Sequence, residues 1–339
     1  MIDSDHEGHE LALSSIRRHQ DNHRAPLSGH PRSRPRYHYG RVAASTPLIR
    51  YCLDGRWLAP GEPAFAPTSG LVTAGEGWFE TLRVENGHPM FLEAHLARLS
   101  RSVEAALGAE AAAGAVAAAR RCLAAMCPAF RDFPCGRLRV LLALDAASGC
   151  WQALGEWGPH ASSAASLEAG LAAVIASFPH PGLGVLGKSA SYHWSVAARR
   201  EALSRGAGEA LLAREGRVLE GATGALVWHR DGRWFSSDSP AVLPSVTLAA
   251  LRDVGVAVEP GELPVEALRS DASRPVSSRP VSSGPSSSAP VQGLVLVSAL
   301  RLAVAIRACD GDTLPTALSL AAAAEWRSRL LARHAAGEA

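Results

Sequence analysis

The chain has 339 residues, of which 47% are hydrophobic and 19% charged, and its formal net charge is +2. This length accommodates two domains, and the charge gives no indication of a nucleic-acid partner. No apolar stretch approaches the ~20 residues that span a bilayer, and the acidic, polar start is unlike a secretory signal, so we expect a cytoplasmic protein with reduced cysteines.

Residues 1–46 mix acidic residues, arginine, proline and six histidines without any apolar period. Such a segment cannot bury enough apolar surface to fold alone, so we expect a disordered leader. The histidine spacings are irregular, which makes a metal site the weaker interpretation. An over-extended gene start would account for the same composition.

The next elements indicate a small domain at 47–154. Strand-like runs flank Asp54-Gly55 and Asn86-Gly87, and both dipeptides favour tight hairpin turns. An amphipathic helix then ends at Gly108, and its apolar residues recur at steps of three and four: Leu92, Leu96, Leu99, Val103 and Leu107. A second helix at about 110–126 and a buried strand at 137–145 follow. The Gly- and Pro-containing segment 155–166 is predicted to be a linker.

A larger domain is predicted at 167–339. Its strands alternate with turns at Glu215-Gly216 and Asp231-Gly232, and its helices are placed at 195–206, 247–254 and 316–334. Residues 270–290 are almost wholly Ser, Pro, Arg, Val and Ala, which is typical of a flexible insertion. The pattern as a whole predicts an α+β protein.

Lys188 is the only lysine among 34 Lys and Arg residues. A guanidinium stays protonated, whereas an ε-amine can lose its proton when it is desolvated and then act as a nucleophile. A chain that uses arginine almost everywhere else keeps this amine either by chance or because its chemistry needs it.

Four motifs around Lys188 resemble one known family. They are GEGWFETLRVENGHPMFLEAHLARL, the pair Lys188-x-x-x-Tyr192, GRVLEGATGAL, and LPSVT, in the family's own order across residues 48–312. This arrangement resembles the class IV, or fold-type IV, pyridoxal-phosphate enzymes: branched-chain aminotransferases, D-amino acid aminotransferases and aminodeoxychorismate lyases. The resemblance implies pyridoxal 5'-phosphate, a barrel-like sheet in the larger domain and a homodimer.

The resemblance also implies roles for residues around the cofactor ring. Lys188 would form the Schiff base and then move the α-proton. Tyr192 would hold the phenolic oxygen, and it faces the same side as Lys188 if the segment is helical. Glu220 would keep the pyridine nitrogen protonated. Without Lys188, Tyr192 would be interpreted as a core aromatic and Glu220 as a surface residue before a turn.

The phosphate and substrate carboxylate would be bound by a further set. Arg98 of the His-x-x-Arg motif, the helix start at Val246 and Thr247, and Ser298 after an apolar strand correspond to the phosphate site. Three strand arginines suit a carboxylate: Arg83, Arg137 and Arg139, with Arg139 preferred. Each of the three could equally be a surface residue.

The motifs FETLRV and LEAHLARL, with the divergent KSASY segment, look most like the aminodeoxychorismate lyases, which release 4-aminobenzoate and pyruvate for folate synthesis. The alternative is an aminotransferase for branched-chain or D-amino acids. A third hypothesis, a cofactor-binding homologue with impaired catalysis, rests on departures from the family pattern at Ser245 and Leu248; Ala225 departs from the pattern as well.

Overall fold

The computed structural model describes residues 49–160, 164–182, 187–269 and 289–337. They form two β-sheets with helices packed against them. The predicted disordered leader at 1–46 lies outside the described residues, as does nearly all of the predicted insertion at 270–290. Among the described helices, none combines the length and apolarity needed to cross a membrane.

The first sheet is antiparallel throughout and comes from the predicted small domain. Its strands lie in the order β2-β1-β6-β5-β3-β4. Their bounds are β1 Arg50–Leu53, β2 Arg56–Trp57, β3 Trp78–Glu85, β4 His88–Pro89, β5 Cys135–Leu144 and β6 Trp151–Pro159. The helices of this part are α1 Gly70–Ala74, α2 Leu92–Leu107 and α3 Ala109–Met126, followed by a 3-10 helix at Cys127–Asp132.

Both predicted hairpins of this sheet are confirmed. Asp54-Gly55 joins β1 to β2 with φ angles of 50° and 96°, and Asn86-Gly87 joins β3 to β4 with φ angles of 50° and 85°. Two consecutive residues with positive φ give the turn whose twist matches that of a two-stranded ribbon. These dipeptides therefore determine the pairing of the strands beside them.

Helix α2 ends at Leu107 as predicted, and most of its apolar stripe enters a core shared with α3 and the sheet. Leu96, Leu99 and Val103 are buried against alanines of α3 and against Trp157 of β6. Leu107, in contrast, is 39% exposed. The last turn of the stripe therefore lies beyond the edge of this core.

The second part of the chain builds a ten-stranded sheet. The main order is β12-β11-β10-β14-β15-β7-β8-β9-β13, and β16 pairs with β15. The strands are β7 Leu171–Ile175, β8 Glu209–Arg214, β9 Arg217–Gly221, β10 Ala225–Arg230, β11 Arg233–Ser236, β12 Val258–Pro260, β13 Leu263–Pro264, β14 Gly293–Ser298, β15 Leu302–Cys309 and β16 Asp312–Thr313. The helices are α4 Ala164–Ala169, α5 His193–Ser204, α6 Val246–Asp253 and α7 Ala317–Ala335, with a 3-10 helix at Val265–Leu268.

The pairings among the described residues run from β12 to β13 and do not close into a ring. Barrel-like closure of this sheet therefore stays a prediction, whereas the α+β class is confirmed. Apart from residues 155–159 of β6, which lie in the predicted linker, each predicted domain contains one of the two sheets, and the division into two domains likewise stays a prediction.

The predicted linker at 155–166 is wrong in its first part. Residues 155–159 form the second half of β6 and pair with β1 and β5. Gly155 is needed for close packing and does not mark a turn. A side-chain carbon at this position would overlap the Met126 sulfur and lie 3.1 Å from Cys122 Sγ. In the sequence alone, a strand glycine that allows a helix to pack closely cannot be distinguished from a glycine of a loop.

A substitution at Gly136 on β5 tests this close packing. A methyl group at this position overlaps the ring of Trp157, which is fully buried and packs 5.1 Å from Phe130 between ring centroids. We expect Gly136→Ala to lower the free energy of unfolding by about 1–3 kcal/mol in urea denaturation. Gly158→Ala is the matched control, because its nearest contact is an ordinary 3.4 Å to Ile49. Equal stability of the two variants would contradict this packing.

Candidate active site

A cavity of about 780 Å³ is lined by residues from both sheets and from helices α2, α5 and α6. It brings together residues that are far apart in the sequence, and almost all of the predicted site residues line it. Those that do are Arg98, Arg137, Arg139, Lys188, Tyr192, Glu220, Val246, Thr247 and Ser298. Arg83 is outside this set.

Lys188 lies at a bend before α5 and not in a helix, so the condition under which Lys188 and Tyr192 would share a helical face is not met. The Lys188 carbonyl accepts a hydrogen bond of 3.0 Å from the Phe79 amide of β3, and the next residue, Ser189, forms a bridge with Trp78. This attachment replaces helical spacing as the cause of their proximity. The Lys188 Nζ lies 4.6 Å from the Phe79 ring centroid and 5.1 Å from that of Tyr192.

The surroundings of Lys188 favour the uncharged amine. Burial first, and then the positive charges of Arg98 and Arg139, lower the pKa of Lys188 from 10.5 to about 8, although Glu80 and Glu220 oppose the shift. A lysine with this pKa is still mainly protonated at pH 7, but its neutral fraction there is far larger than that of an ordinary lysine. Such an amine can act as a nucleophile or accept a proton.

Arg98 is held by a buried carboxylate that the sequence interpretation missed. Its Nε lies 2.8 Å from Glu80 Oε1 and its Nη2 lies 2.5 Å from Oε2, while His95 Nδ1 lies 2.7 Å from Oε2. Burial alone would raise the pKa of Glu80, but the charges of Arg98 and then His95 lower it below its ordinary value. Glu80 is therefore an anion that orients the guanidinium.

The start of α6 lies beside Arg98, whose Nη1 donates a hydrogen bond of 2.9 Å to the Pro244 carbonyl. Ser245 is the N-cap, and its hydroxyl accepts from the Leu248 amide at 3.2 Å. The amides of Val246 and Thr247 have no acceptor among the described residues. A guanidinium beside free amides at a helix N-terminus is suited to a phosphate.

Ser298 ends β14 and is buried where the strand reaches the cavity. Its hydroxyl accepts a hydrogen bond of 3.4 Å from the Arg301 amide, across the turn to β15. Ser298 therefore lines the cavity, and its hydroxyl also stabilises this turn.

Glu220 reaches the cavity from β9, next to an irregular step in the strand pairing. Leu212 pairs with Glu220 and the next residue of β8 pairs with Val218, so Leu219 is an extra residue on β9. A bulge of this kind redirects the side chains beside it. Glu220 Oε1 lies 2.8 Å from Nε2 of the buried His180, and Oε2 has no hydrogen-bond partner among the described residues.

Tyr192 precedes α5, and its ring packs edge-on against Phe79 with centroids 5.2 Å apart. The Tyr192 hydroxyl donates a hydrogen bond of 3.2 Å to the Ala222 carbonyl, which also accepts from Ser195. Burial raises the pKa of Tyr192, so its hydroxyl keeps its proton near neutral pH. The phenol thus keeps its proton but donates it to Ala222, so its oxygen lone pairs face the cavity and a ligand would have to compete with that carbonyl for the proton.

The three candidate carboxylate-binding arginines differ in their contacts. Arg83 does not line the cavity, and it donates to Glu85 at 2.7 Å and to the Leu300 carbonyl at 3.0 Å. Arg137 lines the cavity but forms an ion pair with Glu156. Arg139 lies 4.2 Å from the Phe79 ring centroid, and its Nε has no hydrogen-bond partner among the described residues. Arg139 is therefore the arginine most available to a ligand.

Several further polar residues at the cavity were missed from the sequence. Glu80 and His95 stand within the quoted motifs, and the pairing of an acidic residue on β3 with His-x-x-Arg on α2 is the signal that could have identified them. Glu209 and Arg301 carry no such signal. Arg301 Nη1 lies 3.2 Å from Oε2 of the fully buried Glu209 and 3.0 Å from Thr223 Oγ1. Glu209 and Arg301 are 92 residues apart in the sequence.

Comparison with known proteins identifies the family and the fold. The family model for class IV amino-transferases matches residues 77–283. A comparison with curated proteins finds no match. Among solved structures, the PLP-bound form of a hypothetical aminotransferase from Mycobacterium tuberculosis is 22% identical, covers 84% of this chain and 98% of its own, and superposes with a TM-score of 0.67.

Two other solved structures have the same fold. A fold IV transaminase from Curtobacterium pusillum is 24% identical, with 85% of this chain and 99% of that chain covered and a TM-score of 0.65. A branched-chain aminotransferase from Thermoproteus uzoniensis, solved with norvaline, is 19% identical, with 85% and 96% covered and a TM-score of 0.63. At these identities the likeness concerns the fold.

The lowered pKa of Lys188 can be measured directly, because this is the only lysine in the chain. Reductive methylation with an isotope label followed by NMR titration of the apoprotein should give a midpoint near 8, compared with an ordinary value near 10.5 in the urea-unfolded chain. Arg139→Leu should raise the folded-state midpoint, because it removes a neighbouring positive charge, whereas the exposed Arg56→Leu should leave it unchanged. An ordinary midpoint in the folded chain would contradict the desolvation of this amine.

Proposed function

Because the chain belongs to the class IV aminotransferase family, we propose that it is a pyridoxal-phosphate-dependent aminotransferase that moves an amino group from an α-amino acid to a 2-oxo acid. The family expected from the motifs is confirmed by this match. Lys188, with its lowered pKa between two aromatic rings, is the observation that carries the proposal. An aminotransferase was the alternative in the sequence interpretation, and the family match together with solved structures described as aminotransferases now supports it over the lyase.

The residues of the cavity fit each part of this cofactor. Arg98 and the amides of Val246 and Thr247 offer a cation and free donors to a phosphate, with Ser298 in the same cavity. Glu220 would offer its unpartnered carboxylate oxygen to a protonated ring nitrogen. When bound, pyridoxal phosphate supplies an aldehyde carbon that bonds to amines and a ring that withdraws electrons from the adjoining carbon.

The chain's own groups would then handle the protons. Lys188, once its amine is free, would take a proton from the substrate α-carbon and would return it at another carbon, since its pKa of about 8 suits both steps near neutral pH. The Tyr192 hydroxyl, if it turned from the Ala222 carbonyl, would be able to donate to an oxygen on the cofactor ring. Glu220 would keep the ring nitrogen protonated, and Phe79 and Tyr192 would contact Lys188 on one side.

Arg139 is the proposed partner of the substrate carboxylate. It projects from β5 into the cavity, is stacked on Phe79, and has a free Nε–H. Burial lowers the pKa of its guanidinium without neutralising it, since an arginine stays charged at neutral pH. A partly desolvated guanidinium with free donors is suited to bind a carboxylate through two hydrogen bonds.

Aminodeoxychorismate lyase activity is the second candidate, and it rests on FETLRV, LEAHLARL and the KSASY segment. Both reactions need the same proton transfer at Lys188 and differ in the later steps. Formation of 4-aminobenzoate from aminodeoxychorismate without any 2-oxo acid would identify the lyase. Turnover that strictly requires a 2-oxo acid would identify the aminotransferase.

We also propose that the chain is a homodimer, as the family resemblance implies. Ile49, Val196 and Leu203 line the cavity although they are 41%, 43% and 60% exposed, so apolar side chains surround its opening. A location in the cytoplasm stays a prediction of the sequence.

Replacing Lys188 by arginine tests its role while the positive charge is kept. We expect Lys188→Arg to reduce transamination to background, because a guanidinium can neither bond to the aldehyde carbon nor exchange a proton near neutral pH. Borohydride treatment of the parent protein with pyridoxal phosphate should bleach its colour and leave the label on Lys188. Retained turnover in Lys188→Arg would show that this lysine is not the catalytic amine.

A second test concerns the carboxylate site. We expect Arg139→Leu to raise KM for the amino acid roughly 10- to 100-fold with a smaller change in kcat, which is the usual loss for a charge-assisted hydrogen bond. Arg56→Leu, at an exposed position of the same sheet, should leave both constants unchanged. If Arg137→Leu raised KM and Arg139→Leu did not, the carboxylate partner would be Arg137.

A further inference from the structure

His180 contacts Glu220 from the segment between β7 and Lys188. Its side chain is 1% exposed, its Nε2 lies 2.8 Å from Glu220 Oε1, and its Nδ1 lies 3.0 Å from the Gly182 amide nitrogen. Its own amide donates to the Ala213 carbonyl at 2.8 Å, which fixes the backbone of this segment to β8. Both ring nitrogens are therefore engaged in a buried position.

The two contacts determine where the ring proton lies. A backbone N–H can only donate, so Nδ1 must accept from Gly182 and carries no hydrogen. The proton of the neutral ring is then on Nε2, which donates to Glu220. A second proton on Nδ1 would face the Gly182 N–H and break that hydrogen bond. Gly182 has a φ of 76°, a backbone conformation that favours glycine. The backbone conformation that directs the Gly182 amide at Nδ1 therefore depends on a glycine at this position.

The result for Glu220 is a fixed orientation with its charge intact. A neutral N–H holds Oε1, and Oε2 has no partner among the described residues and belongs to a cavity-lining side chain. An arginine or lysine in place of His180 would orient the carboxylate equally well, but it would cancel the negative charge. A neutral donor therefore leaves Glu220 able to accept from, and stabilise, a cationic ligand group.

We propose that His180 is a positioning residue whose Nε2-protonated neutral tautomer, held by the Gly182 amide, keeps Glu220 oriented and anionic toward a protonated heteroaromatic nitrogen of the ligand. The identity of that ligand as pyridoxal phosphate rests on the proposed function. The tautomer and its hold on Glu220 are properties of the chain alone.

The first experiment uses the full chain without cofactor. Long-range proton–nitrogen correlation NMR of the histidine side chains, with His180→Gln to assign the signal, should show His180 protonated at Nε2 only near neutral pH. A His180 ring protonated at Nδ1, or at both nitrogens, would overturn the proposal. This outcome does not depend on whether pyridoxal phosphate binds.

The second experiment measures pyridoxal phosphate binding by the visible absorbance of the bound cofactor. His180→Leu should weaken binding roughly 10- to 100-fold, because Glu220 loses a charge-assisted hydrogen bond. His180→Gln should bind within about threefold of the parent, because an amide N–H can replace Nε2–H. His88→Leu, at an exposed strand position, is the control and should bind like the parent.

The pattern of the variants separates positioning from a purely structural role. Rescue by glutamine but not leucine, without a matching difference in melting temperature, supports the proposal. Equal loss in both variants, in step with their stability, would overturn it, as would parent-like binding by a folded His180→Leu. If the parent bound no pyridoxal phosphate, the proposed function would fail while the NMR result would still decide the tautomer.

Discussion

The buried ion pair between Glu80 and Arg98 is the interaction on which the candidate site depends. It joins β3 to α2, and through the Pro244 carbonyl it joins α2 to the start of α6, so one guanidinium aligns three elements around the cavity. Burying two charges is costly unless their hydrogen bonds are satisfied, and removing one partner of such a pair costs about 3–5 kcal/mol. The same carboxylate that stabilises Arg98 also orients it beside the free amides of α6.

The remaining charges of the cavity follow from this arrangement. Arg98 and Arg139 are both close enough to lower the pKa of Lys188, while Glu80 and Glu220 limit that shift. Ser245, which departs from the family pattern, caps α6 by accepting from Leu248 and leaves the first two helical amides free. This departure is therefore compatible with phosphate binding, and it weakens the hypothesis of an impaired homologue.

Local patterns in the sequence account for much of the fold. The Asp-Gly and Asn-Gly turns, the period of α2 and the placement of α6 match the structure, because each depends on residues within one or two turns of chain. The misses have a different cause. Strand β15, Leu302–Cys309, is apolar along nearly its whole length and lies between β14 and β7, so it lacks the alternation that marks a half-buried strand. In the sequence, the glycines of β6 suggest a linker. The packing of α3 against Gly155 shows instead that this glycine belongs to a strand.

Composition and short-range order are enough to identify the family, the turns, the amphipathic helices and Lys188 as the only lysine. Tertiary structure decided which charges meet. Glu80 and Arg98 are 18 residues apart, His180 and Glu220 are 40 apart, and Glu209 and Arg301 are 92 apart. Such contacts depend on strand register, on a bulge in β9 and on the attachment of the Lys188 segment to β3, and none of these is encoded in a local pattern. The physical reason is that apolar burial specifies which face of an element is covered, whereas the partner of a buried charge is set only when the elements pack.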